Sequence, residues 1–68
     1  MKISARNVLK GKVVDIVKGA TTAHVRIDVH GTIVTASITN ESVDDLGLVK
    51  GMTASAVIKS SDVMVAVE

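Results

Sequence analysis

The sequence contains no cysteine, no proline, and no phenylalanine, tyrosine or tryptophan. Each absence excludes something. Without cysteine there is neither a disulfide framework nor a thiolate metal site. Without aromatic rings there is no platform on which single-stranded nucleic acid could stack. No run approaches the roughly 18 apolar residues that a membrane helix needs, and Met1–Asn7 carries no apolar stretch of the kind found in secretory leaders. A soluble, cytoplasmic protein with no membrane partner is expected. The charge is nearly balanced, eight basic against seven acidic residues for a net +1, which argues against a general polyanion binder and a nucleic-acid partner. Any anion must be met by local placement of donors.

What the chain does have is 47% apolar residues in 68, drawn from Val, Ile, Leu, Ala and Met. That predicts one domain over residues 1–68 with a thin core, since a chain this short buries only about 60% of its unfolded surface. Oligomerisation is the expected remedy.

Alternation is clearest in "TTAHVRIDVHGT", which sets Ala23, Val25, Ile27 and Val29 on one face and Thr22, His24, Arg26, Asp28 and His30 on the other. Gly31 supplies a turn, and "TIVTASITN" resumes with Val34, Ala36 and Ile38 inward, so residues 20–40 read as a hairpin. Upstream, "LKGKVVDIVKG" is strand-like but loses its alternation around Gly11, Val13 and Val14, which predicts a bulge near Gly11. In "NESVDDLGLVKG", Ser42 with Asp45 three residues on has the pattern of a capping box, and Gly47 suits the end of a helical turn. "TASAVIKS" and "VMVAV" complete the set, the last with Val63, Val65 and Val67 on one face. Five short strands with one helical turn between the third and fourth predict an all-β fold, a small closed or nearly closed OB-like barrel.

Catalysis finds little support. His24 and His30 lie six residues apart, about 20 Å along a strand at roughly 3.3 Å per residue, too far to share one metal within a subunit. Asp44 and Asp45 are adjacent in a helical turn and point apart. No enzymatic function, direct metal-cation site or organic cofactor is expected. A different cluster carries chemistry. Ser4, Arg6 and Asn7 offer a hydroxyl, a forked cation and an amide within four residues, with the small Ala5 leaving the backbone N–H approachable. Further along, Lys59, Ser60 and Ser61 add an ammonium, two hydroxyls and backbone N–H groups where a strand turns. A tetrahedral oxyanion wants such a set, because its oxygens accept several hydrogen bonds and cations offset its desolvation.

The segments "ISARN" (3–7), "LKGKV" (9–13), "VKG" (17–19), "SIT" (37–39), "SVDDLGL" (42–48) and "VIKSSDVMV" (57–65) run in order along the whole chain. Together they resemble the molbindins, small Mop-type molybdate-binding proteins whose domain recurs in molybdenum-responsive regulators and molybdate-transporter ATPases. The resemblance implies a five-stranded barrel assembling as a homohexamer, a trimer of dimers, that binds molybdate or tungstate between subunits for storage or homeostasis. Carried across, Ser4, the backbone of Ala5, Arg6 and Asn7 of one subunit would meet Lys59 and Ser60 of another. Ser61 stands where many relatives have Thr and preserves the hydroxyl. Thr39 and Ser42 match recurrent positions, as site residues or as helix caps, and Gly19, Ala20 and Thr21 are candidates for a second class of oxyanion site. His24 and His30 match no motif. Two alternatives remain open at this point: a regulatory or structural Mop module working with a transporter or transcription factor, and a generic sulfate or phosphate binder.

Overall fold

Four of the five expected strands form. In the computed structural model, which describes residues 1–68, they are β1 (Asn7–Lys18), β2 (Thr22–Val29), β3 (Thr32–Thr39) and β4 (Thr53–Ile58). One antiparallel sheet orders them β3-β2-β1-β4. The twelve-residue β1 is its spine: Asn7–Lys12 pairs with β4, and Lys12–Lys18 pairs with β2. A long strand shared in this way bends the sheet into a half-barrel.

Local chemistry sets the joints. The β2–β3 hairpin turns at His30 and Gly31, both with positive φ (51° and 90°), as a two-residue turn matched to strand twist requires. Asp28 Oδ1 steadies it by accepting from the Gly31 N–H at 2.8 Å. The bulge lies further along than expected: the β1–β2 register slips between Val13 and Asp15, leaving Val14 as the extra residue. Gly11 serves another purpose. A Cβ there would sit 2.3 Å from the Asp28 carbonyl oxygen and 2.9 Å from Ile27 Cγ2, so the glycine permits the close approach of β1 to the end of β2.

The helical turn between the third and fourth strands is present as α1 (Asn40–Leu46). Its cap is not Ser42, as the sequence pattern suggests, but Thr39, whose Oγ1 accepts from the Ser42 N–H at 3.0 Å. Gly47 closes α1 with φ 63°, as expected for that position. The core is the inward face of β1 and β2 under α1: Val13, Ala23, Val25, Ile27 and Val43, joined by Ala56 of β4.

The expected closed five-stranded barrel does not form. Residues 63–67 make no strand, and Met64, Val65 and Val67 are 91–94% exposed. The physical reason lies at the edges. A strand needs ladder partners, yet after β4 the chain coils into a 3₁₀ turn (Ser60–Asp62) and the arm beyond it lies against nothing. The β3 and β4 edges stay apart, so the architecture is an open half-barrel of four antiparallel strands and one helical turn. Between those edges runs an apolar groove of about 610 Å³.

Candidate functional site

The β1–β4 ladder brings the two donor segments to one corner of the sheet. Its last pair is Asn7 with Ile58, and the Asn7 Nδ2 amide also donates to the Ile58 carbonyl at 3.1 Å. Arg6 and Lys59 stand one residue beyond that pair on either side, flanked by Ser4 and by Ser60 and Ser61. Ala5 is buried and pins the first segment, while Ser4, Arg6, Lys59, Ser60 and Ser61 are all exposed. Asn7 is half-buried. Its amide nitrogen is committed to the strand end, a tie that the pattern of residue types alone does not show.

The ion pairs of the chain lie away from this corner, and Lys2, Lys10 and Lys12 are likewise outside them. Lys18 pairs with Asp44 at 2.7 Å, and Arg26 and Lys50 lie 3.6 and 3.7 Å from Asp15. Arg6 and Lys59 have no carboxylate partner, so both charges are available to an anion. Lys59 is in extended conformation (φ −65°, ψ 142°) at the start of the 3₁₀ turn, which leaves the first N–H groups of that turn without partners inside it. Two cations, three hydroxyls and backbone donors make a set that complements a dianion.

The other candidates lie elsewhere. Thr39 and Ser42 sit at the opposite end of the sheet, near the Lys18 end of β1, and their hydroxyls bond each other at 2.8 Å. Thr39 caps α1, and neither residue is brought to the Arg6–Lys59 corner. Gly19, Ala20 and Thr21 share that far end, where Asn40 Nδ2 donates to the Gly19 carbonyl and the Asn40 N–H to that of Thr21. A shallow hollow of about 210 Å³ there is lined by Val17, Gly19, Thr22 and His24. His24 and His30 are exposed. The large groove is unsuited to an oxyanion: no charged residue lines it, and the hydroxyls of Thr35, Thr53 and Ser55 alone would not offset the lost hydration of a dianion.

A family model described as the TOBE domain matches residues 3–65. The chain belongs to the Mop/TOBE-domain molybdate-binding protein family. It is 52% identical over 66 residues to molybdenum-pterin-binding protein 3 of Clostridium pasteurianum, covering 96% of this chain and 97% of that one. Among solved structures it resembles a molybdate-binding protein from Sporomusa ovata at TM-score 0.93 and 44% identity, covering 97% of this chain and 98% of that one. It also resembles ModG, a cytoplasmic molybdate-binding protein solved with molybdate bound, at TM-score 0.90 and 46% identity. That match covers 94% of this chain and 46% of ModG. The matched span of the TOBE family includes both halves of the donor corner and most of the exposed arm.

Proposed function

We propose that this chain is a non-enzymatic, cytoplasmic binder of molybdate, with tungstate as a near-isostere, acting in storage or homeostasis. The observation that carries the reading is the corner itself. Arg6 and Lys59 are unpaired cations flanking one ladder pair and surrounded by hydroxyl and N–H donors, in a chain similar throughout its length to proteins named for binding molybdate. Two positive charges about balance a dianion.

The site is completed by a second copy. Two such corners face each other across the interface, so that Ser4, the Ala5 backbone and Arg6 of one copy meet Lys59 and Ser60 of another, since on one chain the corner is open to water and a dianion there would keep much of its hydration. Self-association has a physical cause in the groove and the arm. The groove between β3 and β4 is lined by 15 residues, 12 of them hydrophobic, and the segment Val63–Val67 is an uncharged run that lies exposed. An arm from a second copy fits between the two free edges and covers both apolar surfaces, at about 1.5–3 kcal/mol for each valine fully buried. A hexamer built as a trimer of dimers is the assembly that this reading favours.

Equilibrium dialysis with elemental analysis against molybdate, tungstate, sulfate and phosphate tests the function. Molybdate and tungstate should be retained comparably, sulfate less for want of size and phosphate less because its proton meets few acceptors. Equal displacement of molybdate by equimolar sulfate would reduce the chain to a generic oxyanion binder. Mixing Arg6→Ala with Lys59→Ala should restore a fraction of the sites if the donors come from different copies. No recovery would place each site on one chain.

A further inference from the structure

The far end of the sheet collects hydrogen-bond donors as the corner does, but without a free permanent cation. The link from β1 to β2 is Gly19–Thr21, and Asn40 at the start of α1 ties its acceptors back. The Asn40 N–H donates to the Thr21 carbonyl at 2.9 Å, and its Nδ2 to the Gly19 carbonyl at 3.0 Å. The Gly19 N–H closes the turn on the Thr22 carbonyl at 2.7 Å, while the N–H groups of Ala20 and Thr21 make no hydrogen bond. With two carbonyls engaged and two N–H groups free, the turn offers donors, which suits an anion. The shallow hollow beside it adds the Thr22 hydroxyl and the exposed His24 imidazole.

The charges around His24 are already matched. On β2, Arg26 stands two residues along, 3.6 Å from Asp15, which also draws Lys50 to 3.7 Å. On β1 the residue paired with His24 is Val17, and on β3 it is Ser37, flanked by Thr35 and Thr39. Lys18 is held by Asp44 at 2.7 Å, and α1, with Glu41, Asp44 and Asp45, packs through Val43 on the core face, opposite to His24. N–H and hydroxyl donors alone do not offset the desolvation of a dianion. His24 is the one residue lining the hollow that can gain a positive charge, and histidine does so between about pH 5 and 8.

We infer that the far turn is an oxyanion subsite made competent by protonation of His24, whereas the corner, with Arg6 and Lys59, holds its anion on both sides of neutrality. The inference rests on the reading of the chain as a molybdate binder. The family resemblance implies a second class of site; the hollow gives this chain's version a proton dependence through a histidine that belongs to none of the shared segments. Molybdate bound at the turn retains a proton on His24, so capacity rises as pH falls through the histidine range and is lost as pH rises through it.

The test is equilibrium dialysis of the full chain against micromolar molybdate, which stays monomeric, at about pH 6 and about pH 8. Additional molybdate should be retained at the lower pH, with affinity for the turn about tenfold or more above that at the higher, the scale on which opposite charges couple. His24→Gln should lose this increment and keep the corner's share; His24→Lys should show it at both pH values. His24 is exposed, so both variants should fold. In NMR spectra at the lower pH, molybdate should shift the His24 ring resonances and leave those of His30, which lines no hollow, in place. An increment that persists in His24→Gln, or equal retention at both pH values by the unmodified chain, would overturn the inference and leave the corner reading intact. Failure to retain molybdate at either pH would overturn both.

Discussion

Two stretches with an aliphatic residue at every second position meet opposite fates. In β2, Ala23 and Val25 are each 1% exposed and Ile27 is 5% exposed, while in the arm Val65 and Val67 are 91% and 93% exposed. Both repeat an aliphatic residue at a period of two, with His24, Arg26 and Asp28 between them in β2 and Met64 and Ala66 in the arm. What differs is the supply of edges. β2 lies between β1 and β3 and has backbone partners on both sides, whereas the arm follows a 3₁₀ turn and meets no free edge of its own chain. A period of two specifies which face a strand would bury; a ladder decides whether there is a strand at all.

The sharpest way to break this comparison is to place the same charge in each stretch. Val25→Asp should abolish folding, because an uncompensated buried carboxylate costs several kcal/mol against the roughly 3–10 kcal/mol available to a chain of this length. Val65→Asp should leave the half-barrel folded by circular dichroism and remove the assembly by sedimentation. Loss of folding in both would mean that the arm belongs to the core of its own chain. Next in size are the corner cations. Arg6→Ala and Lys59→Ala should each weaken molybdate binding by about 1.5–3 kcal/mol, the range for a charged hydrogen bond, or roughly ten- to a hundredfold, with the thermal midpoint little changed. Titration calorimetry and a melting curve on each variant check both halves of that statement. The smallest effect is at the far end of the sheet. Thr39→Ala removes the α1 cap and should cost about 0.5–2 kcal/mol of stability with unchanged molybdate affinity. A loss of affinity there would return Thr39 and Ser42 to the binding site.

The parts of the molecule that were legible in the sequence are those governed by nearest neighbours. The β2–β3 hairpin and the Gly47 helix end follow from alternation and from the turn chemistry of His30–Gly31 and Gly47. The donor corner was legible as two separate clusters of residue types. Their meeting at the Asn7–Ile58 pair depends on a register between segments about fifty residues apart, which no local pattern encodes. Three features were misread for the same reason. Gly11 signals a bulge by type, yet it is small because Asp28 passes against it from another strand. Ser42 fits a capping box, but Thr39 already ends a strand and holds the cap. The valines of 63–67 read as a fifth strand because sequence periodicity carries no information about which chain supplies the partner.

The central claim is that the main oxyanion site is the corner of Arg6 and Lys59 and not the larger groove or the far turn. Crystals grown with molybdate, measured across the molybdenum absorption edge, test it directly. The account predicts an anomalous peak within hydrogen-bonding distance of the Arg6 guanidinium and of Lys59 or Ser60. Strong peaks confined to the Gly19–Thr21 turn, with none at that corner, would contradict it.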